Sequence, residues 1–361
     1  MRKWLWLTVI LASFIAVPQV HAAVKLSTTQ TVQQQHLQEF VTQRLLTKQG
    51  IYTNYLDTKQ RTTTASGHEM LSESAGYYLQ HLVLTGQKKA FRTFYQQTVT
   101  TFYSHDQFSY RYDPRTKKRS TVNASVDDLR ILNSLLAYDQ TFKTTHYQKT
   151  ATSLYRDLQQ HSLIKGRLYD YADGQTGKHA PTITLCYLNL KTLRHFEGKT
   201  AKGRQQWQRQ LKLVKRGYLG SVAPLYKTRY NYQRKVYTNS KELNIVESLL
   251  TMLHLAEVDQ LPTASQQWLQ QQVAAGKLYN RYDQKGKALT SDQSAGGYAL
   301  AAMIGQTTGN AKLYQAAIQH VATFQITTQS SPLYGGLGDA ATKQAYSFDN
   351  LTALVAYDLA L

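Results

Sequence analysis

An all-α fold, an (α/α)6 barrel of six helical hairpins with short β-hairpins at one rim, is predicted by three features of the sequence. An aromatic cluster recurs six times, a polar loop and an apolar stretch of helical period follow it, and the recurrences are evenly spaced. The clusters are Ile51-Tyr52-Thr-Asn-Tyr55-Leu-Asp57, Phe108-Ser-Tyr110-Arg-Tyr112-Asp113, Leu168-Tyr169-Asp170-Tyr171, Tyr230-Asn-Tyr232, Leu278-Tyr279-Asn-Arg-Tyr282-Asp283 and Leu333-Tyr334-Gly-Gly. From Tyr52 through Tyr110, Tyr169, Tyr230 and Tyr279 to Tyr334 the gaps are 58, 59, 61, 49 and 55 residues. A sustained period marks a chain built from one repeated unit that cannot bury its apolar face alone. Units of this length exceed those of the common open helical solenoids, which favours closure into a ring.

Each unit supplies two helices. Apolar residues at helical spacing follow the polar loops, as in Leu129-x-x-Leu132-x-x-Leu135-Leu136, Ile245-Val246-x-x-Leu249-Leu250-x-x-Leu253 and Leu351-x-x-Leu354-Val355. A second helical stretch then leads to the next cluster: Lys89 to Tyr103, His146 to His161, Gly203 to Arg216, Ser265 to Ala275 and Asn310 to Phe324. Helices that start together at one rim carry their N-terminal residues into a common cleft.

The chain opens with a basic head, an apolar run from Trp4 to Val17, Pro18 and the small-residue exit Val20-His-Ala22-Ala23. This pattern predicts a secretory signal over residues 1–22 and a single domain over residues 23–361, with the protein secreted or associated with the cell surface. The apolar run is shorter than the ~20 residues of a spanning helix. The lone cysteine, Cys186, excludes an intramolecular disulfide, so the core alone must hold the fold, and a monomer is expected. A net charge of +20 favours anionic surroundings such as cell-wall polymers. No nucleic-acid-binding module appears, so a nucleic-acid partner is not expected.

At the predicted starts of the inner helices, unit one offers Glu73; unit two, Asp127 and Asp128; unit three, Thr182 and Thr184; unit four, Glu242; unit five, Asp292 and Gln293; unit six, Asp349. Acidic residues near helix N-termini commonly serve as caps. Ser72 and Ser240 stand ready as caps beside Glu73 and Glu242, which frees those two for chemistry. The segment Glu73-Ser-Ala-Gly76-Tyr77 returns as Gln293-Ser-Ala-Gly296-Gly-Tyr298. The fold thus accepts the neutral amide at this place, and Glu73 becomes a candidate for reactivity rather than packing.

These segments resemble the signatures of glycoside hydrolase family 8. Ser72-Glu73-Ser-Ala-Gly76-Tyr77 resembles that family's Ser-Glu-Gly-Gln-Gly-Tyr-Gly element, whose Glu is the general acid. Ala124-Ser125-Val126-Asp127-Asp128-Leu129 is similar to its Ala-Ser/Thr-Asp-Ala/Gly-Asp-Leu signature, and Asp128 falls on the last Asp, which contacts the sugar at the cleavage point. Ser240-Lys-Glu242-Leu-Asn244 is similar to its Ser-Tyr-Asp-Ala element, which carries the base. Val126 replaces one Asp of the signature and Glu242 replaces another, with Glu247 as second candidate for the base.

The resemblance spans residues 30–361 and implies an exported hydrolase of β-linked polysaccharide, a bacterial exopolysaccharide or β-1,4-glucan-like polymer, that inverts configuration. Glu73 would be the acid and Glu242 the base, with Asp127, Asp128, Tyr78, Tyr110 and Tyr187 binding substrate. One protonated and one ionised carboxyl group are what this hydrolysis requires. A non-catalytic polysaccharide-binding barrel is the alternative, and a polysaccharide lyase is a third reading.

The sequence holds no Gly-x-Ser-x-Gly elbow and no metal-binding motif such as His-Glu-x-x-His. No cofactor or metal is expected, and Cys186, in an apolar context, is expected to be a buried structural thiol.

Overall fold

The computed structural model describes residues 24–58, 65–238 and 240–360. The signal expected over residues 1–22 lies outside them. Among the described residues the chain forms twelve α-helices. After α1 (Thr28–Phe40) they come in pairs: α2 (Ser72–Leu84) with α3 (Lys88–Phe102), α4 (Ser125–Thr141) with α5 (Gln148–His161), and α6 (Leu190–Glu197) with α7 (Ala201–Arg216). There follow α8 (Ile245–Ala256) with α9 (Thr263–Ala274), α10 (Ala295–Thr307) with α11 (Ala311–Ala322), and α12 (Ser347–Asp358).

Burial separates the two members of a pair. In α10 every residue from Ala295 to Gly305 is buried, and in α8 every residue from Ser248 to Ala256, as expected of helices surrounded by protein. The helix α5 buries only Ala151, Tyr155 and Leu158, a single stripe spaced by four and three residues. The first members therefore form an inner layer. Within it α2 packs on α4, α4 on α6, α6 on α8, α8 on α10, α10 on α12, and α12 on α2, so the succession of contacts returns to its start.

The helix that covers α12 from outside is α1, from the other end of the chain. Gln34 donates to Asp358 at 2.6 Å, and Asp358 meets His81 Nδ1 at 2.6 Å, which ties α1, α12 and α2 together.

The strands are short, two or three residues each: β1 (Met70–Leu71), β2 (Tyr103–Ser104), β3 (Gln107–Phe108), β4 (Arg111–Asp113), β5 (Lys118–Arg119), β6 (Leu163–Ile164) and β7 (Arg167–Leu168). The remainder are β8 (Thr182–Thr184), β9 (Arg229–Asn231), β10 (Val236–Tyr237), β11 (Leu243–Asn244) and β12 (Arg281–Tyr282). They fall at the aromatic clusters and stitch neighbouring units. Antiparallel pairing sets Met70 opposite Tyr112, Ile183 opposite Tyr230, and Leu243 opposite Tyr282. A bridge from Asn54 to Tyr346 joins the last unit to the first. Glu69 reinforces the β1–β4 pairing by accepting from Arg111 Nε at 2.9 Å.

Unit three departs from the expected pattern. Thr182 and Thr184 lie in β8, a 3-10 turn (Leu185–Tyr187) follows, and only then does the eight-residue α6 begin, capped by Asn189. The β-branched run Thr182-Ile-Thr184 after Pro181 favours an extended chain. Cys186 is buried in the turn, and burial pushes its thiol well above the ordinary range.

Candidate active site

First turns of inner helices carry the acids of the site: Glu73 on α2, Asp127 and Asp128 on α4, Glu247 on α8 and Asp349 on α12. They do not share one environment.

Glu73 sits half-buried beside Arg130 and Asp127. Loss of hydration pushes its pKa from 4.5 up to about 7; Arg130 works against that rise and Asp127 adds to it. At neutral pH a large share of Glu73 therefore holds its proton. Asp127 accepts from Arg130 Nη1 at 2.6 Å and from Ser72 Oγ at 2.9 Å. Ser72 thus serves the neighbouring helix instead of capping its own. Arg130 is buried, stands 4.3 Å from the centre of the Tyr77 ring, and packs on Gly76, where a Cβ would meet its side chain at 2.9 Å. Glycine at position 76 is what lets α4 bring this cation so close to α2.

Asp128, one residue on from Asp127, faces the other way. It accepts from the Phe108 backbone N–H at 3.2 Å and from Asn123 Nδ2, among Tyr103, Leu158 and His161 between α4 and α5. Burial raises its pKa to about 8. Asp128 is thus held by Phe108 and Asn123, 100° around the helix from Asp127. The Tyr78 ring packs edge-on against Phe94 at 4.7 Å, between α2 and α3.

The other two tyrosines lie on the cleft. Tyr110 and Tyr187 line a concavity of about 370 Å³ together with Asp170, Thr182, Thr184 and Arg229, within the size range of small-ligand sites. Burial raises the Tyr187 pKa, and the charges of Asp127, Asp170 and Glu73 raise it further. Asp170 accepts from Thr182 Oγ1 at 2.6 Å and from the Thr184 N–H at 2.5 Å, and Thr184 Oγ1 accepts from Arg229 Nε at 2.9 Å.

Glu242 stands apart from this group. It is exposed in the loop before β11 and pairs with Arg281 at 3.2 Å, a contact that solvent screens. Glu247 instead is half-buried in the first turn of α8. Burial raises its pKa, opposed by Arg229 and by a hydrogen bond from Thr228, and Asp170 adds to the rise. Arg229, which lines the concavity, is thus electrostatically linked to Glu247.

Asp349 accepts from the Gly296 N–H at 2.7 Å, which makes it a cap for α10. Asp292 is exposed and accepts from Thr290. His68 and His179 stack on Tyr52 and Tyr169, each at 3.9 Å, at the rim. Among the described residues no group of three or more metal-ligating side chains is gathered.

Arg130, Asp170 and Arg229 are absent from the residues picked out by sequence. Asp127-x-x-Arg130 carries a legible signal, opposite charges three apart on one helix face. Arg229 belongs to β9 and Asp170 to the connection after β7, and neither has such a mark.

Solved structures of glycoside hydrolases share this fold. An α-amylase from Clostridium perfringens matches with a TM-score of 0.84 and 27% identity, covering 91% of this chain and 97% of that one. The family 8 endoglucanase Cel10 from Klebsiella pneumoniae matches with a TM-score of 0.62 and 15% identity, over 90% and 99%. The chain has the fold of family 8 and is of the glycoside hydrolase class. Among curated proteins it is 26% identical over 316 residues to the putative lipoprotein YdaJ of Bacillus subtilis (strain 168), 85% of this chain and 84% of that protein. No protein-family model matches the chain.

Proposed function

We propose that the protein is an exported glycoside hydrolase that cleaves a polysaccharide with Glu73 as general acid and Glu247 as the second carboxylate. The observation that carries this reading is Glu73 itself, a first-turn carboxyl group with a pKa near 7 that keeps some access to solvent. An acid of that pKa donates a proton to a departing glycosidic oxygen near neutral pH. Arg130 limits the rise, so the group still titrates where an enzyme works.

In the proposed reaction the chain lies over Tyr187 and Tyr110. Glu73 protonates the leaving oxygen as the bond to the anomeric carbon breaks. Glu247, ionised, takes a proton from a water that attacks the opposite face, and the configuration inverts. Asp127 and Arg130 touch neither partner of the broken bond. They set the proton affinity of Glu73 and are positioning residues.

Export is supported by the signal-like N-terminal pattern and by the lipoprotein name of the Bacillus relative. The family 8 resemblance supports a β-linked substrate. A second reading, α-linked glucan, is favoured by the α-amylase name of a relative with a TM-score of 0.84. Inverting hydrolysis uses the same acid and base for either linkage.

The test is product analysis on a panel of α-1,4-glucan, β-1,4-glucan, β-1,3-1,4-glucan and the bacterium's own exopolysaccharide. New reducing ends that disappear with Glu73→Gln are expected. Retention on the polymer without new ends in the wild type would identify a binding barrel instead, and ultraviolet-absorbing unsaturated ends would identify a lyase.

A further inference from the structure

A second concavity, of about 420 Å³, lies on the other side of the strands that wall the cleft. Its lining includes Lys165, Arg167, Arg209, Lys235, Tyr230 and Tyr232. Side chains alternate along a strand, so in β9 Arg229 looks into the cleft while Tyr230 looks into this pocket. The cations come from three places: the β6–β7 hairpin, the β9–β10 turn and α7. The lining holds no carboxylate, and none of the four cations is ion-paired among the described residues.

Glu197 stands near Arg209, and its carboxylate accepts from Gln210 at 3.0 Å. Burial raises its pKa to about 7, so it supplies less than a full negative charge. Four cations around one small concavity repel one another, and an anion placed between them relieves that repulsion. The Arg167 guanidinium stands 5.8 Å from the centre of the half-buried Tyr232 ring, so the wall offers aromatic surface as well as charge.

We propose that this pocket binds an anionic group, a carboxylate or phosphate, carried by a polysaccharide chain. Choosing a polysaccharide among polyanions rests on the proposed function, because the pocket and the cleft share the β8–β9–β10 sheet. The pocket would hold charged polymer beside the cleft without taking part in bond cleavage.

Titration calorimetry at fixed salt tests this with six probes: polygalacturonate, its methyl ester as the same backbone without charge, phosphorylated dextran, plain dextran, a polynucleotide and anionic vesicles. The exposed pair Arg167→Gln/Arg209→Gln is compared with Lys117→Gln/Lys143→Gln, two exposed lysines on other turns. Circular dichroism checks that both variants fold. The arginine variant is expected to weaken binding of a charged polymer by about tenfold or more, and the lysine variant by less than about twofold. The carboxylate and phosphate arms tell which anion is preferred.

Equal losses in the two variants would overturn the pocket in favour of a diffuse basic field. Equal wild-type affinity for charged and uncharged polymers would overturn its charge recognition. Tighter binding of polynucleotide or anionic vesicles than of both charged polymers would overturn the partner class. Binding is read without turnover, so these outcomes are separate from any failure of the hydrolase reading.

Discussion

The helices α2 and α10 begin with nearly the same residues and put them to opposite uses. In α10, Ser294 caps the helix by accepting from the Gly297 N–H at 3.2 Å, Asp349 accepts from the Gly296 N–H, and Gln293 accepts from the Tyr298 hydroxyl. That N-terminus is closed by its own neighbours. In α2 the N-cap is Leu71, which has no side chain able to cap. Ser72 donates instead to Asp127, and Ser74 pairs with Ser347 of α12 at 2.8 Å. Both glycines seat a neighbour closely, Gly76 against Arg130 and Gly296 against Phe348 and Asp349. The difference shows what the motif supplies: the Ser-Ala-Gly portion packs one inner helix on the next, and the residue before it is free to be structural or reactive.

The largest expected effect is at the reactive end. Glu73→Gln keeps the shape and removes the proton, so kcat should fall by roughly 10³-fold while retention on polymer is unchanged. A variant with wild-type turnover would end the assignment of Glu73. The same substitution alters the response to pH. A buried carboxyl whose folded pKa lies above its unfolded value stabilises the protein at low pH, and that contribution is lost as pH rises through the folded pKa, here about 7. The melting temperature of Glu73→Gln should match wild type near pH 4 and exceed it by a few degrees near pH 8.

Next in size are the candidates for the second carboxylate. Glu247→Gln should lose roughly 10²- to 10⁴-fold in kcat, whereas Glu242→Gln, whose only ionic partner among the described residues is Arg281, should stay within about twofold. Parallel initial rates on one polymer decide between them, and the reverse order would restore Glu242.

A smaller effect is expected from Asp127→Asn. Removing this charge takes away one of the influences that raise the pKa of Glu73 and turns Arg130 wholly toward it. The alkaline limb of kcat/KM should move to lower pH, with a modest loss at the optimum. A purely structural Asp127 would lower the rate without moving the limb.

How far the sequence carried this picture follows from which physical signals are local. The repeat, the inner and outer helices and the hairpins at the aromatic clusters are legible because periodicity and turn chemistry act over a few residues. The short α6 was not foreseen, because Thr182-Ile-Thr184 sits where the repeat predicts a helix start and pairing with β9 decides otherwise. Within the candidate site, Glu73 is set apart in the sequence by its amide twin Gln293. Asp127 and Asp128 could not be ranked, since neighbours in sequence part company only once the helix is placed. Glu242 and Glu247 could not be ranked either, because a matching motif says nothing of exposure: Glu242 is exposed before β11 and Glu247 lies in the first turn of α8. Arg229 is placed by the pairing of β9 with β8, and Asp170 by hydrogen bonds from Thr182 and Thr184, contacts that leave no pattern in either segment.

The smallest expected effect tests the comparison most directly. Gln293→Glu puts a carboxylate back into the α10 copy of the motif, where the hydroxyl of Tyr298 already donates to the position. A carboxylate accepts that bond as well as an amide does, so stability should change by less than about 1 kcal/mol. No Arg130 or Asp127 stands beside it; the residues packed on Gly296 are Phe348 and Asp349. The new acid should therefore titrate apart from the reaction and leave the wild-type rate unchanged. Placed in the Glu73→Gln background it should restore no turnover. Recovery of even a small fraction of the rate in that double variant would mean that position in the ring, and not the charge set of α4, makes the carboxyl group at 73 reactive.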